Sequence, residues 1–207
     1  MTGVAFGPLL PLGRTEPMTA ATSLPAAVLF DRDGTLVVDV PYNTDPALVE
    51  PMPGAVAAVA AVRAAGLPVG VVSNQSGIAR GLITPDQLRA VNARVDELVG
   101  PFDTWQVCPH GPEDACPCRK PQPGLVLTAA AALGVPPERV VVIGDIAADV
   151  GAAAAAGARG VLVPTPVTRR SEVEDAARTA EVAATLPEAV ALVLGPARQA
   201  PAAATVA

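Results

Sequence analysis

Three residue types this chain uses sparingly, cysteine, histidine and lysine, crowd into one stretch of thirteen, from Cys108 to Lys120. Cys108, His110, Cys116, Cys118 and Lys120 account for every cysteine, histidine and lysine in a chain of 207 residues; elsewhere arginine supplies the positive charge. Three thiols and an imidazole suit a tetrahedral Zn²⁺ with no open position, a structural centre. The C-x-H and C-x-C pairs are tighter than standard finger spacing, and plain buried or free thiols are the bland alternative. A chelated loop costs less entropy to hold than a free one. Zinc there would preorganise Arg119 and Lys120 rather than touch a substrate. Lys120 offers a compact ammonium that the planar guanidinium of arginine does not imitate.

A second group starts at Asp31-Arg32-Asp33-Gly34-Thr35, directly after an apolar run. Two carboxylates two residues apart at a strand end can divide the work, one as nucleophile and one as proton shuttle. Gly34 lets the backbone turn sharply behind them. An ordinary acidic turn is the plainer alternative. Ser73-Asn74-Gln75 and Gly144-Asp145 follow apolar runs in the same manner. Asp149 reads three ways: orienting Lys120, completing a metal's outer shell, or sitting as a first-turn carboxylate favoured by the helix dipole.

The elements that must position these groups alternate. Ala26–Phe30, Pro68–Val72, Thr104–Val107, Arg139–Ile143 and Gly160–Val163 are expected as strands. Helices are expected over Gly54–Ala65, Thr84–Val99 and Pro123–Leu133, from about Ala147, and from a capped start at Ser171 with Glu174 three residues on. Thr84, Pro85 and Gln87 spell a capping box with proline at the first helical position. The apolar runs do not alternate, so the strands are covered on both faces: an α/β, three-layer Rossmann-like fold with a central parallel sheet. In such sheets ligands bind beyond the carboxyl ends of the strands. That gathers Asp31, Asp33, Ser73, Asn74 and Asp145 into one site, with Lys120 brought in by the cysteine loop. About forty residues separate Asp31 from Ser73, and about as many separate Ser73 from Lys120, so no separate cap domain fits. Residues 1–22 read as a flexible leader, with Met18 as an alternative start, 23–195 as the domain and 196–207 as a flexible tail.

Half of the residues are apolar and only 2% aromatic, so a globular core is packed with Ala, Val and Leu. The formal charge of −6 argues against nucleic-acid or anionic-membrane partners, which need a basic face. No apolar window is long enough to span a membrane. An odd number of closely spaced cysteines suits a reduced, cytoplasmic metal site. A monomer is the expectation.

Taken in order, Asp31-Arg32-Asp33-Gly34-Thr35, Ser73, Lys120 and Gly144-Asp145 with Asp149 resemble the four motifs of the haloacid dehalogenase (HAD) superfamily of phosphatases. The resemblance spans about residues 24 to 165. It implies that Asp31 attacks phosphorus and forms an aspartyl-phosphate, and that Asp33 protonates the leaving oxygen and then deprotonates water. It also implies that Mg²⁺ is held by Asp31, Asp145 and the main-chain carbonyl of Asp33, and that Ser73 and Lys120 bind phosphoryl oxygens. A phosphate dianion repels a carboxylate, so such a site needs cations. Ser73 through Gly81, Cys108-Pro109-His110 and Cys118-Arg119-Lys120-Pro121 resemble the D-glycero-D-manno-heptose 1,7-bisphosphate phosphatases. That narrows the implied substrate to a small sugar phosphate and assigns its binding to Asp39, Tyr42, Asn74, Gln75, Ser76 and Arg119. Val40, Pro41 and Ile146 depart from that pattern and remove polar groups near the substrate. Arg80 reads as a solvated surface arginine, with a second phosphate as its alternative. The rival readings are a histidinol-phosphate phosphatase, which shares the cysteine loop, and a non-catalytic zinc module.

Overall fold

The computed structural model describes residues 25–195; the expected leader, its Met18 and the tail lie outside the described residues. Six parallel strands form one sheet in the order β3-β2-β1-β4-β5-β6. They are β1 (Ala27–Phe30), β2 (Val69–Asn74), β3 (Thr104–Cys108), β4 (Val140–Gly144), β5 (Arg159–Leu162) and β6 (Glu181–Val182). The helices are α1 (Ala55–Ala64), α2 (Pro85–Val99), α3 (Gly124–Leu133), α4 (Ala147–Ala155), α5 (Arg170–Thr179) and α6 (Leu186–Leu194).

The non-alternating strands are buried on both faces, as their sequence requires. Val28 and Phe30 of β1 face a core shared with Val59 and Val62 of α1, Val95 of α2 and Val190 of α6. Ala27 and Leu29 face Val126 of α3 and Ala153 of α4. Ala176 of α5 packs with Val150 and Leu162 beyond them. The result is the expected three-layer α/β fold. Between β1 and α1 the chain forms only the short 3₁₀ turn Pro46–Leu48, and between β2 and α2 no further element. No cap domain interrupts the described residues.

The capping box of α2 forms as read: Gln87 N donates to Thr84 Oγ1 (3.2 Å) and Thr84 N to Gln87 Oε1 (2.9 Å). Other boundaries move for identifiable reasons. β2 and β3 run on to Asn74 and Cys108 because those two residues still pair. The cap of helix α5 lies two residues earlier than expected, at Arg169. Arg169 N donates to Glu172 (3.1 Å), while Glu174 is held by Arg170 (2.7 Å) and does not cap. Strand β6 and helix α6 extend the expected set of elements. The signal for α6 lay in Thr185, whose hydroxyl accepts from Glu188 N (3.3 Å), with Pro187 in the first turn.

Candidate active site

The strand order reverses between β1 and β4, which lie side by side at the centre of the sheet. The tips of such a pair are where this architecture opens a crevice, and here they deliver Asp31 and Asp145. Asp31 N donates to Ile143 O (2.9 Å), so the chain leaves β1 still in register with β4. Both aspartates are buried. Gly34 has φ +77°, and a Cβ there would stand 2.4 Å from Asp145 Oδ2. The absent side chain is what lets the Asp145 carboxylate lie against the backbone that follows Asp33.

Oxygens of Asp31, Asp145 and Asp149 lie within 4.8 Å of one another. Burial pushes the Asp31 carboxyl up to about 8; Lys120 opposes the shift and the Asp149 charge adds to it. Burial likewise pushes Asp145 up to about 7, again with help from Asp149. Two buried carboxyls driven toward neutrality, with only oxygen donors around them, make a donor set that a hard divalent cation such as Mg²⁺ would satisfy.

Lys120 is 4% exposed, and its ammonium uses all three of its N–H bonds. They reach Asp31 Oδ1 (2.6 Å), Asp149 Oδ1 (2.6 Å) and Val72 O (2.8 Å). Burial alone would lower the lysine pKa, but the two carboxylates outweigh it and hold the group charged. The other oxygen of Asp149, Oδ2, accepts from Ile146 N (3.2 Å). Of its three readings, two coincide: it orients Lys120 and closes the first turn of α4. The main chain of Lys120 is also gripped. Asn74 accepts from Lys120 N (3.0 Å) and donates to Lys120 O (3.1 Å).

Beside Lys120, the donor atoms of Cys108, His110, Cys116 and Cys118 converge within 4.8 Å of one another. Cys118 Sγ lies 3.2 Å from Cys108 Sγ, 3.4 Å from Cys116 Sγ and 3.2 Å from His110 Nδ1. These separations are far too long for a disulfide. They fit donors drawn round one ion at about 2.3 Å, tetrahedrally. The loop is anchored at both sides: Gln75 N donates to Cys108 O (2.7 Å), and Gly124 N to Pro117 O (3.0 Å).

A cleft of about 390 Å³ opens over the strand tips. Asp31, Asp33, Asp39, Tyr42, Asn74, Gln75, Ser76, Arg119, Lys120 and Asp145 all line it. Ser73 does not: it is 1% exposed, and its hydroxyl accepts from Gln75 Nε2 (2.8 Å) beneath the cleft floor. Asn74 and Gln75 spend their amides on Lys120, Ser73 and Asp33, which makes them part of the scaffold. Arg119 donates to His110 O (3.2 Å), so the cysteine loop orients it as it reaches the cleft. Burial, with the Asp33 charge, raises the Asp39 carboxyl. Arg80 is exposed, as read, and it donates to Tyr42 Oη (2.7 Å) with its guanidinium 5.8 Å from that ring's centre.

Sequence reasoning left out Arg32, Val167 and Thr168. Arg32 and Val167 line the cleft, and the Thr168 hydroxyl donates to Asp145 O (2.8 Å). Arg32 carried a signal, a cation set between two working acids; Val167 and Thr168 sit on a loop whose composition carried none.

Comparison with known proteins adds the following. A family model for HAD-hydrolase-like proteins matches residues 117–189. The D-glycero-β-D-manno-heptose-1,7-bisphosphate 7-phosphatase of Pseudomonas putida is 40% identical over 147 residues, covering 67% of this chain and 82% of that protein. The protein of the same name from Mesorhizobium japonicum is 43% identical, covering 66% and 69%. The crystal structure of D,D-heptose 1,7-bisphosphate phosphatase from B. bronchiseptica, complexed with magnesium and phosphate, superposes with a TM-score of 0.71. It is 30% identical and covers 81% of this chain and 98% of that one.

Proposed function

The chain belongs to the HAD-like hydrolases, in the family of the heptose-bisphosphate phosphatases, and is a phosphatase; from this we propose that it removes one phosphate from D-glycero-D-manno-heptose 1,7-bisphosphate by way of an aspartyl-phosphate on Asp31. One observation carries the reading: buried Asp31 and Asp145 at adjacent strand tips, with the Lys120 ammonium on Asp31 at 2.6 Å. A carboxylate poised this way can attack phosphorus only where positive charge meets the incoming dianion.

The carboxylates of Asp31 and Asp145 and the main-chain carbonyl of Asp33 would hold Mg²⁺, which neutralises charge on the phosphoryl group being transferred. Asp31 attacks phosphorus, the bond from phosphorus to the sugar oxygen breaks, and that oxygen takes the proton of Asp33. Water then gives a proton back to Asp33 and attacks phosphorus, and the bond to Asp31 breaks. Lys120 aims Asp31 and favours its ionised form, with Asp149 behind it. Ser73 supports this layer from below through Gln75. Asp39, Tyr42, Ser76 and Arg119 face the sugar, and Val40, Pro41 and Ile146 give part of the cleft an apolar wall. Cys108, His110, Cys116 and Cys118 would hold a structural Zn²⁺ that keeps Arg119 and Lys120 in place.

Phosphate release from a panel of sugar mono- and bisphosphates and histidinol phosphate, with and without Mg²⁺, tests the proposal. Asp31→Asn is expected to lower kcat/KM by at least about 10³-fold on every ester. A higher kcat/KM for histidinol phosphate than for any sugar bisphosphate would replace the substrate, and an active Asp31→Asn protein would remove the mechanism.

A further inference from the structure

Arg32 lies between the two catalytic aspartates in sequence, and none of the steps above uses it. It is 3% exposed. A buried guanidinium must have partners, and those of Arg32 all lead to one place. Nε and Nη2 form a fork on Asp33, each at 2.9 Å from one carboxylate oxygen. Nη1 donates to Asn92 Oδ1 (2.8 Å), an amide on α2 sixty residues away. Gln75 Nε2 adds a third donor to Asp33, on Oδ2 (2.7 Å). A guanidinium is planar, so tying down Nη1 fixes the plane in which the fork meets its carboxylate. Asp33 itself is 27% exposed at its side chain, and without the fork only Gln75 would hold it at the cleft wall.

We infer that Asn92 and Arg32 are positioning residues for the proton-carrying step: Asn92 sets the plane of the Arg32 guanidinium, and Arg32 sets the carboxyl of Asp33. Oδ2 receives two donors and Oδ1 one. Oδ1 is therefore the oxygen with capacity left to take the proton and hand it to the leaving alkoxide, and later to receive one from water. A residue of α2 that does not itself line the cleft thus decides how well a poor leaving group is protonated. The inference rests on the proposed role of Asp33 as proton carrier.

Leaving-group dependence is the test, because a misplaced acid hurts only esters whose alcohol needs a proton. Asn92→Ala is compared with wild type by kcat/KM, which ends at the step that expels the leaving group. The two substrates are the best sugar bisphosphate of the panel above and p-nitrophenyl phosphate, whose phenolate leaves unprotonated. Expected is a loss of about 10- to 100-fold on the sugar ester and less than about threefold on the aryl ester. Arg32→Lys keeps the charge and loses the fork, and should give the same selective loss. Equal losses on both esters for Asn92→Ala, no loss on either, or a gain on the sugar ester each overturn the inference. Asp31→Asn is run on the same pair. If it retains activity, the mechanism fails and the positioning role with it; if it is dead while Asn92→Ala is unselective, the positioning role alone fails.

Discussion

Two clusters of candidate metal ligands meet at Lys120, and they are built in opposite ways. The acidic one brings Asp31 to Asp145 and Asp149, more than a hundred residues on, and every member is buried. The sulfur-rich one draws Cys108, His110, Cys116 and Cys118 from a single loop; only Cys108, the last residue of β3, is buried. The acidic cluster is placed by the sheet. Backbone ladders and a packed core hold its carboxylates, so a bound ion is free to do chemistry there. The loop has no ladder beyond Cys108 and few apolar residues to bury, so an ion there does the work a core would do. Ions bound at both would divide the work, one serving the reaction and the other geometry. Lys120 joins them, with its backbone two residues beyond the last thiol and its ammonium on the first aspartate.

The most damaging way to break that link is at Lys120 itself. Lys120→Met should lower kcat/KM by about 10³-fold, since it strips a fixed positive charge from the reacting group. It should also cost about 3–5 kcal/mol in denaturant unfolding, because Asp31 and Asp149 are left buried without their cation. Lys120→Arg should lose nearly as much activity. Three acceptors surround one nitrogen at 2.6–2.8 Å, and a flat fork cannot serve all three from a point. Wild-type kcat in the Lys120→Arg protein would show that charge alone is needed there, and that the cysteine loop has nothing precise to position.

A milder break is made on the other side. Cys118→Ser removes a thiolate two residues before Lys120. One equivalent of zinc by elemental analysis is expected in wild type and much less in the variant. kcat should fall about 10- to 100-fold through a displaced Lys120 and Arg119. Mg²⁺ affinity should hold nearly constant, because the sheet and not the loop places Asp31 and Asp145. Full activity in zinc-free protein would mean that the contacts of Cys108 and Pro117 already hold the loop, and the division of labour between the ions would collapse.

The same contrast explains what the sequence disclosed. Residues that need unusual chemistry announced themselves: three cysteines, one histidine and one lysine in a row, and acids placed after apolar runs. The sheet, the strand tips and the α2 cap followed from burial and capping rules. The scaffold amides did not. Asn74 looked like a substrate contact because it follows a strand near the reacting groups. It does line the cleft, but that its amide also clasps the main chain of Lys120, 46 residues on, follows from a register no local pattern encodes. Asn92 looked like any half-exposed helical residue, since a partner sixty positions away leaves no periodic trace. Helix α6 was overlooked for a different reason: its cap is ordinary, but it follows a two-residue strand too short to signal that the sheet continues.

The smallest expected effect separates the two centres by their response to protons. In the folded protein the Asp31 carboxyl is raised to about 8 and that of Asp145 to about 7, from 3.8 in an open chain. Without metal the folded state therefore binds more protons than the unfolded one, and stability must fall as pH climbs from about 4 to about 8. Mg²⁺ acts against that loss, because it binds only the ionised pair and only when both carboxylates are brought together. Thermal melts with millimolar Mg²⁺ against a chelator selective for Mg²⁺ over zinc should then show a gain of about 5 °C at pH 8 and almost none at pH 5.5. Zinc at the thiolates also holds less well toward acid, where protons compete for sulfur, but a chelator selective for Mg²⁺ leaves it bound in both arms, so it cancels from the difference. Equal Mg²⁺ gains at both pH values would mean that Asp31 and Asp145 are already ionised at pH 5.5, and that burial does not raise them as described.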